Sequence, residues 1–339
     1  MDYITQLAAF QQSHDTAEPQ ENIDLSPFVR NGEQLLSADI PEPEILISPF
    51  LARGTVTLIV GATKIGKTWA ALDLACSLAS GTPFLNYRVP NPASVLYLDG
   101  ELGPSQLQLR AHKISPSNNA LFLNSAEISQ GTSQSLNLTN AQHQEAVDRI
   151  LSAHEPAALV IDNMTALAPR KSEDDNADPN LLQFKRWCMR LKARGIAVVI
   201  IHHTGHDGRR SRGASALPDF VDTVIHLSSI DDVHRLVKLA FVSTRDRRPD
   251  PDSVIFKIVD EGDVISLDPV SLSRTTPEYA LLPLLLDGHH STQKSLATSV
   301  CKSPGTVSAW IKKLRKAGLL PRRGLNLTEK GQQMASSNA

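Results

Sequence analysis

Gly61-Ala62-Thr63-Lys64-Ile65-Gly66-Lys67-Thr68 is the stretch on which the reading of this chain turns. It fits G-x-x-x-x-G-K-[ST], a loop that wraps phosphate groups. In front of it, Thr55-Val56-Thr57-Leu58-Ile59-Val60 reads as a buried strand. Behind it, Trp69-Ala70-Ala71-Leu72-Asp73-Leu74-Ala75-Cys76-Ser77-Leu78 reads as a helix. The residue types follow from the chemistry. Gly61 and Gly66 let backbone N–H groups turn inward around phosphate oxygens. The helix N-terminus points its positive dipole end at the same place. Lys67 is placed to reach the β- and γ-phosphates, and the Thr68 hydroxyl to ligate Mg²⁺. Gly61 through Trp69 are therefore the candidate contacts for ATP. An ordinary glycine-containing turn is the competing reading; pattern, strand and helix together argue against it.

Further along, apolar runs end in polar groups. Ala157-Ala158-Leu159-Val160-Ile161-Asp162 has the Walker B pattern. A buried strand presents Asp162 at its C-terminal end, where ligands bind in open α/β sheets, so that it can hold Mg²⁺ directly or through water. Val95-Leu96-Tyr97-Leu98-Asp99-Gly100-Glu101 is a second such strand. ATP hydrolysis needs a carboxylate to orient and deprotonate water, and Glu101 is the candidate, with Asp99 behind it. The alternative is a solvated Asp-Gly turn. Ala197-Val198-Val199-Ile200-Ile201-His202-His203-Thr204-Gly205 is a third. A polar side chain at its tip can sense the γ-phosphate and pass its loss to the next loop. A metal cluster with His206 and Asp207 is disfavoured, because adjacent residues on a strand point to opposite sides.

GATKIGKT, VLYLDGE, LVIDN, VVIIHHTGHDG and RGASALPDFVDTVIHL together resemble the RecA-like ATPases of the RepA and DnaB hexameric-helicase type, the RepA branch of mobile elements most of all. The resemblance spans roughly residues 46–260. Lys64 does not make the loop that of the MinD-like ATPases, whose extra lysine directly follows the first glycine. The strand-end Glu101 separates the chain from GTPases, and no N-K-x-D occurs. The resemblance implies catalytic roles for Lys67, Glu101 and His203, metal ligation by Thr68 and Asp162, and a hexameric ring with ATP at subunit boundaries. It also implies a cation lent by the neighbouring subunit, often in a Lys-x-Arg. Here the stretch is Val242-Ser243-Thr244-Arg245-Asp246-Arg247-Arg248-Pro249, with Ser243 where the lysine would stand. The finger is open between Arg245 and Arg247, against a solvated basic turn. In the RecA-like fold the loop after the sensor strand faces the central channel. Arg209, Arg210 and Arg212 in Gly205–Gly213 are placed to grip single-stranded DNA phosphates there, or to lie in a solvated loop.

The C-terminal end is basic, with Lys294, Lys302, Lys312, Lys313, Arg315, Lys316, Arg322, Arg323 and Lys330 against Glu329. Such asymmetry points to nucleic acid. Glu278–Leu286, Gln293–Val300 and Pro304–Ala317 read as three helices. The third buries Val307, Ile311 and Leu314 at helical spacing, with Ser303 as N-cap and Pro304 after it. Residues 319–327 read as a two-stranded wing and Thr328–Met334 as a closing helix. The whole resembles the winged helix-turn-helix of bacterial DNA-binding regulators. That implies duplex contacts from Thr306, Ser308, Lys312, Lys313, Lys316, Arg322 and Arg323, with Trp310 partly in the core. A protein-docking module is the alternative.

At 339 residues the length prior is about two domains. The expected fold is α/β: a RecA-like P-loop core, mostly parallel with helices on both faces, and a small C-terminal winged-helix domain. The expected division is an acidic flexible arm (1–45), the ATPase (46–268), a linker (269–277) and the winged helix (278–335). Strands are expected at 55–60, 94–98, 120–123, 157–161, 196–201, 222–227, 236–242 and 254–258, the last ones antiparallel, with one short helix at Ile4–Gln12. Cys76, Cys188 and Cys301 are far apart and odd in number, which argues for a reducing compartment and against zinc or disulfides. No apolar run is long enough to span a membrane, and the polar, acidic N-terminus is unlike a signal peptide. A cytoplasmic, homo-oligomeric DNA helicase or replication ATPase is expected, served by a separate loader or primase. The other reading is an ATP-switched DNA-binding regulator that never translocates.

Overall fold

The apolar runs become the strands of one sheet in the computed structural model of the chain, which describes residues 24–169, 171, 178–203, 219–231, 235–245, 249–270, 277–286, 288, 290, 292–300 and 302–336. A small antiparallel pair comes first, β1 (Ile45–Ile47) and β2 (Leu51–Ala52). The main sheet follows: β3 (Val56–Gly61), β4 (Val95–Asp99), β5 (Ala120–Asn124), β6 (Ala158–Asp162), β7 (Ala197–His203), β8 (Thr223–Asp231), β9 (Leu236–Thr244), β10 (Ser253–Asp260) and β11 (Ile265–Pro269). Its order is β11-β10-β9-β8-β3-β7-β6-β4-β5. From β8 to β5 all neighbours are parallel, whereas β8 to β11 form an antiparallel meander.

Strand alternation sorts the apolar side chains into two layers. Ile59, Tyr97, Val160, Val199 and Ile201 face one core, with Ala71, Leu74 and Leu78 of the helix Lys67–Ser80 and Leu107 of the helix Pro104–Ile114. Leu58, Leu96, Leu98, Ile161 and Ile200 face the other, with Val147 and Leu151 of the helix Ala141–His154 and Phe184, Trp187 and Leu191 of the helix Pro179–Ala193. A sheet covered on both faces explains why its central strands read as unbroken apolar runs. The doubly covered, mostly parallel sheet behind a P-loop is the RecA-like fold.

Residues 281–335 pack a third cluster, in which Leu281, Leu282, Leu296, Val307, Ile311, Leu314 and Leu319 are buried. The helices there are Leu281–Leu286, Gln293–Ser299, Pro304–Lys316 and Glu329–Ser336. Ser303 caps the third by accepting from the Thr306 N–H at 3.1 Å. The expected wing differs: no residue of 319–327 is in a strand. Pro321 has no N–H to give to a ladder, and the Arg315 guanidinium takes the carbonyls of Pro321 and Gly324, at 3.1 Å each. Of the expected linker, Pro269 closes β11 and Pro277 opens a 3-10 helix, and residues 271–276 lie outside the described residues.

Residues 24–42 belong to a unit of their own, which ends at Glu42. Within it a 3-10 turn spans Ser26–Phe28 and a helix spans Gly32–Ser37, the latter closed by a capping box between Asn31 and Gln34. The helix expected at Ile4–Gln12 lies outside the described residues. Among the described residues, no helix is long and apolar enough to cross a membrane.

Candidate functional site

Strand register builds the site. Gly61 pairs with His203 across β3 and β7, and Asp99 pairs with Asp162 across β4 and β6. Ile161 pairs with Ile200 across β6 and β7, so Asp162 stops two residues short of His203, and the C-terminal tips of these parallel strands lie on the P-loop side of the sheet. A cleft of 480 Å³ opens there, lined by Lys64, Lys67, Thr68, Trp69, Glu101, Arg110 and His203 among others.

The loop needs its glycines. Gly66 has φ +100°, and a Cβ on it would collide with the Ile258 side chain. A Cβ on Gly61 would sit 2.8 Å from the Leu227 carbonyl oxygen. Lys67 opens the helix behind, and its Nζ donates to the carbonyls of Gly61 at 2.9 Å and Ala62 at 2.6 Å. Burial pulls its pKa down to about 8, opposed by the nearby carboxylates of Asp162 and Glu101. Ala62, Thr63, Lys64 and Ile65 complete the loop, with Lys64 in the left-handed region at φ +64°.

Asp162 is buried. Burial raises its pKa, opposed by hydrogen bonds from the Tyr97 and Thr68 hydroxyls. The Tyr97 bond is 2.6 Å long. A carboxylate and a hydroxyl in contact at the cleft floor are hard oxygen donors of the kind Mg²⁺ selects, so these residues fit that ion.

Glu101 stands at the cleft with its side chain 52% exposed. Asp99, the weaker of the two candidates in its segment, turns away from it. Its carboxylate accepts from the backbone N–H of Glu101 and Leu102 and from Asn124 Nδ2, at 3.2, 3.3 and 2.7 Å. Burial pushes its pKa up to about 6. It shapes the turn that carries Glu101.

His202 and His203 point to opposite sides: His202 is buried, and His203 faces the cleft. Burial lowers the His203 pKa, and the Lys67 charge lowers it further, against Glu101 and Asp162. Its Nε2 lies 2.9 Å from Asn163 Nδ2 and 3.7 Å from Glu101 Oε1.

Three contributors escaped the sequence reading. Asn163 was quoted in the LVIDN motif but given no task. Tyr97 holds Asp162 from the neighbouring strand. Arg110, on the helix after Glu101, lies 4.9 Å from the centre of the Trp69 ring and lines the cleft. A signal existed only for Asn163, as the polar residue directly after the strand-end acid.

Arg245 is not beside the P-loop of its own chain. It follows Thr244, which pairs with Thr223, itself level with Thr57 at the start of β3. Four residues of β3 separate that level from Gly61, ~13 Å at strand rise. Its guanidinium donates to the Asp219 carbonyl at 2.8 Å and lies 3.7 Å from Asp222. Asp222 also binds Lys192 at 2.6 Å and accepts from the Val56 N–H at 2.8 Å. Arg209, Arg210, Arg212 and Arg247 lie outside the described residues. In the C-terminal cluster, Lys312, Lys316, Arg322 and Arg323 are exposed, while Thr306 and Ser308 are half-buried. Lys313 is engaged by Glu278 at 3.2 Å, so its charge is partly neutralised there.

The fold and this cleft define a RecA-like P-loop ATPase, a class that takes ATP and usually Mg²⁺. The chain belongs to the AAA domain family, which residues 22–209 match. It is similar to the DNA repair protein RadA of Helicobacter pylori, 23% identical over 276 residues that make up 80% of this chain and 55% of that protein. It is likewise similar to the DNA repair protein RadA of Bacillus subtilis, 23% identical over 270 residues, 77% of this chain and 51% of that one. The chain thus spans about half the length of the curated relatives it matches. Among solved structures, a KaiC-like protein of Pyrococcus horikoshii superposes with a TM-score of 0.49 at 16% identity, covering 68% of this chain and 98% of that one. The flagellar accessory protein FlaH of Methanocaldococcus jannaschii gives 0.45 at 12% identity, covering 65% and 91%.

Proposed function

We propose that this chain is a RepA-like DNA helicase or replication ATPase of a mobile element, working in the cytoplasm as a ring, in all a hexamer, that hydrolyses ATP on DNA. The observation that carries it is the carboxylate of Glu101 at the mouth of the P-loop cleft, within reach of Asn163 and His203. A nucleotide-binding switch does not need such a base; a motor that turns over does.

In this reading Glu101 accepts a proton from water as its oxygen bonds to the γ-phosphorus. The bond from that phosphorus to the β–γ bridging oxygen breaks, and ADP leaves with that electron pair. Lys67 neutralises charge on the phosphoryl oxygens, and the loop N–H groups cradle them. Thr68 and Asp162 would hold Mg²⁺, whose charge stabilises the polyphosphate. His203 senses the γ-phosphate. Arg245 or Arg247 serves the neighbouring subunit's site, and the distance of Arg245 from its own P-loop supports a role in trans.

DNA enters by analogy with relatives named as DNA repair proteins and by the exposed cations Lys312, Lys316, Arg322 and Arg323. The C-terminal helices act as a helix-turn-helix on duplex, and Arg209, Arg210 and Arg212 grip a single strand in the channel. A separate primase or loader completes the machine. A second reading, an ATP-switched DNA-binding regulator, is favoured by one observation: the Arg245 guanidinium is held within its own chain by Asp219 and Asp222.

ATP turnover of the purified protein, measured without DNA, with single strands and with duplex at one salt concentration, separates the two. Strong stimulation by single strands is expected. Slow turnover indifferent to DNA would replace the motor by the switch.

A further inference from the structure

Asn163 is 2% exposed and caps the short helix Met164–Leu167. Its carboxamide offers one acceptor oxygen and two N–H bonds. The oxygen accepts from the Ala166 backbone N–H at 3.0 Å. A backbone N–H can only donate, so this bond fixes which end of the carboxamide is oxygen. The nitrogen end then lies 2.8 Å from Glu101 Oε2 and 2.9 Å from His203 Nε2. One N–H goes to each. His203 Nε2 must therefore accept, which puts the ring proton on Nδ1 and keeps the imidazole neutral. Among the described residues Nδ1 has no hydrogen-bond partner, so none of them competes to set the tautomer.

The loop carrying Glu101 is stitched to the β6 tip by two further contacts. The Gly100 N–H donates to the Asp162 carbonyl at 2.8 Å. A Cβ on Gly100 would stand 2.5 Å from Leu167 Cγ, so this backbone packs flush against the helix that Asn163 caps. The geometry points to Asn163 as the positioning residue of the hydrolytic centre, one amide that holds the base and the phosphate-facing histidine as a unit. Glu101, half exposed, would otherwise sample many rotamers. Asn163 ties down Oε2 and leaves Oε1 for the water. His203 and Glu101 thus share one amide, the link through which phosphate loss felt at His203 would be passed to Glu101. This rests on the assignment of Glu101 as the base.

Asn163→Asp tests it. Aspartate keeps the cap acceptor and nearly the same volume but has neither donor. Asn163→Ser keeps a capping oxygen on a side chain too short to bridge Glu101 and His203. In both, kcat should fall at least about tenfold while ATP affinity stays within about twofold, the split expected when only orientation for reaction is lost. Long-range ¹H–¹⁵N spectra of histidine-labelled protein, with His203 assigned by its loss in His203→Gln, should show the Nδ1–H tautomer in the native protein and its loss in both variants. Native-like kcat in both variants overturns the inference, and so does loss of ATP binding in both, which would make Asn163 a fold cap only. Glu101→Gln is measured alongside. If it turns over normally, the assignment of Glu101 fails whatever the Asn163 variants do. If it is inactive while the Asn163 variants are active, only the inference about Asn163 fails.

Discussion

Lys67 is the residue whose chemistry is most tightly bound to its place. Its ammonium is buried against the carbonyls of Gly61 and Ala62, a setting that lowers its pKa to about 8. A cation is kept there only where negative charge is to be met. Lys67→Ala should lower ATP turnover by ~10²-fold or more, the cost typical of losing one preorganised charge at a transferring phosphoryl group, with the melting temperature little changed. Near-normal phosphate release would remove the P-loop from the mechanism. At this scale the sequence was readable where chemistry is local. Eight consecutive residues name the loop, and an acid after an apolar run names Asp162. It was not readable where partners are distant in the chain. Asn163 meets Glu101 across 62 positions and His203 across 40, and Arg110 meets Trp69 from another helix. No spacing rule reaches that far.

The helix Lys67–Ser80 shows how an element can carry a cost unrelated to its site. Asp73 lies on it, and burial alone pushes its carboxyl up to about 7. In the unfolded chain it titrates near about 3.9. Because the folded value is the higher one, ionisation favours unfolding: the contribution of Asp73 is fully present below about pH 4 and is lost as pH rises through about 7. Asp73→Asn removes that loss. The melting-temperature advantage of the variant should therefore grow between about pH 4 and pH 7, the window set by these two values, and level off above it. A difference that stays flat over that range would mean the carboxylate keeps its solvation in the fold. Elements were legible where period and length agreed, as in the eight strands read from apolar runs. β11 was missed because Pro269 and its polar neighbours resemble a linker. The wing failed as a ladder because Arg315, in the last turn of the helix Pro304–Lys316, claims the carbonyls of Pro321 and Gly324.

On the scale of the molecule, three sets of apolar side chains pack apart: one on each face of the sheet and one among residues 281–335. None of the residues lining the P-loop cleft belongs to the third set. Removing residues 278–339 should therefore leave basal ATP turnover intact and weaken duplex binding, read by phosphate release and by anisotropy of a labelled duplex. Unchanged DNA affinity would make the C-terminal helices a docking module for protein. The α/β class was legible from alternating strands and helices, whereas the pairing of Gly61 with His203, and of Asp99 with Asp162 two residues short of them, depends on register, which only pairing reveals. The chain's three tryptophans happen to fall one in each of these regions of interest. Trp187 is fully buried with its indole N–H on Asp148, and Trp310 packs against the C-terminal cluster. Trp69 alone borders the cleft, under the guanidinium of Arg110. Nucleotide phosphates beside that cation should draw it from the ring and change tryptophan emission over the background of Trp187 and Trp310. A signal of nucleotide occupancy readable without a label is expected, and Trp69→Phe should abolish it.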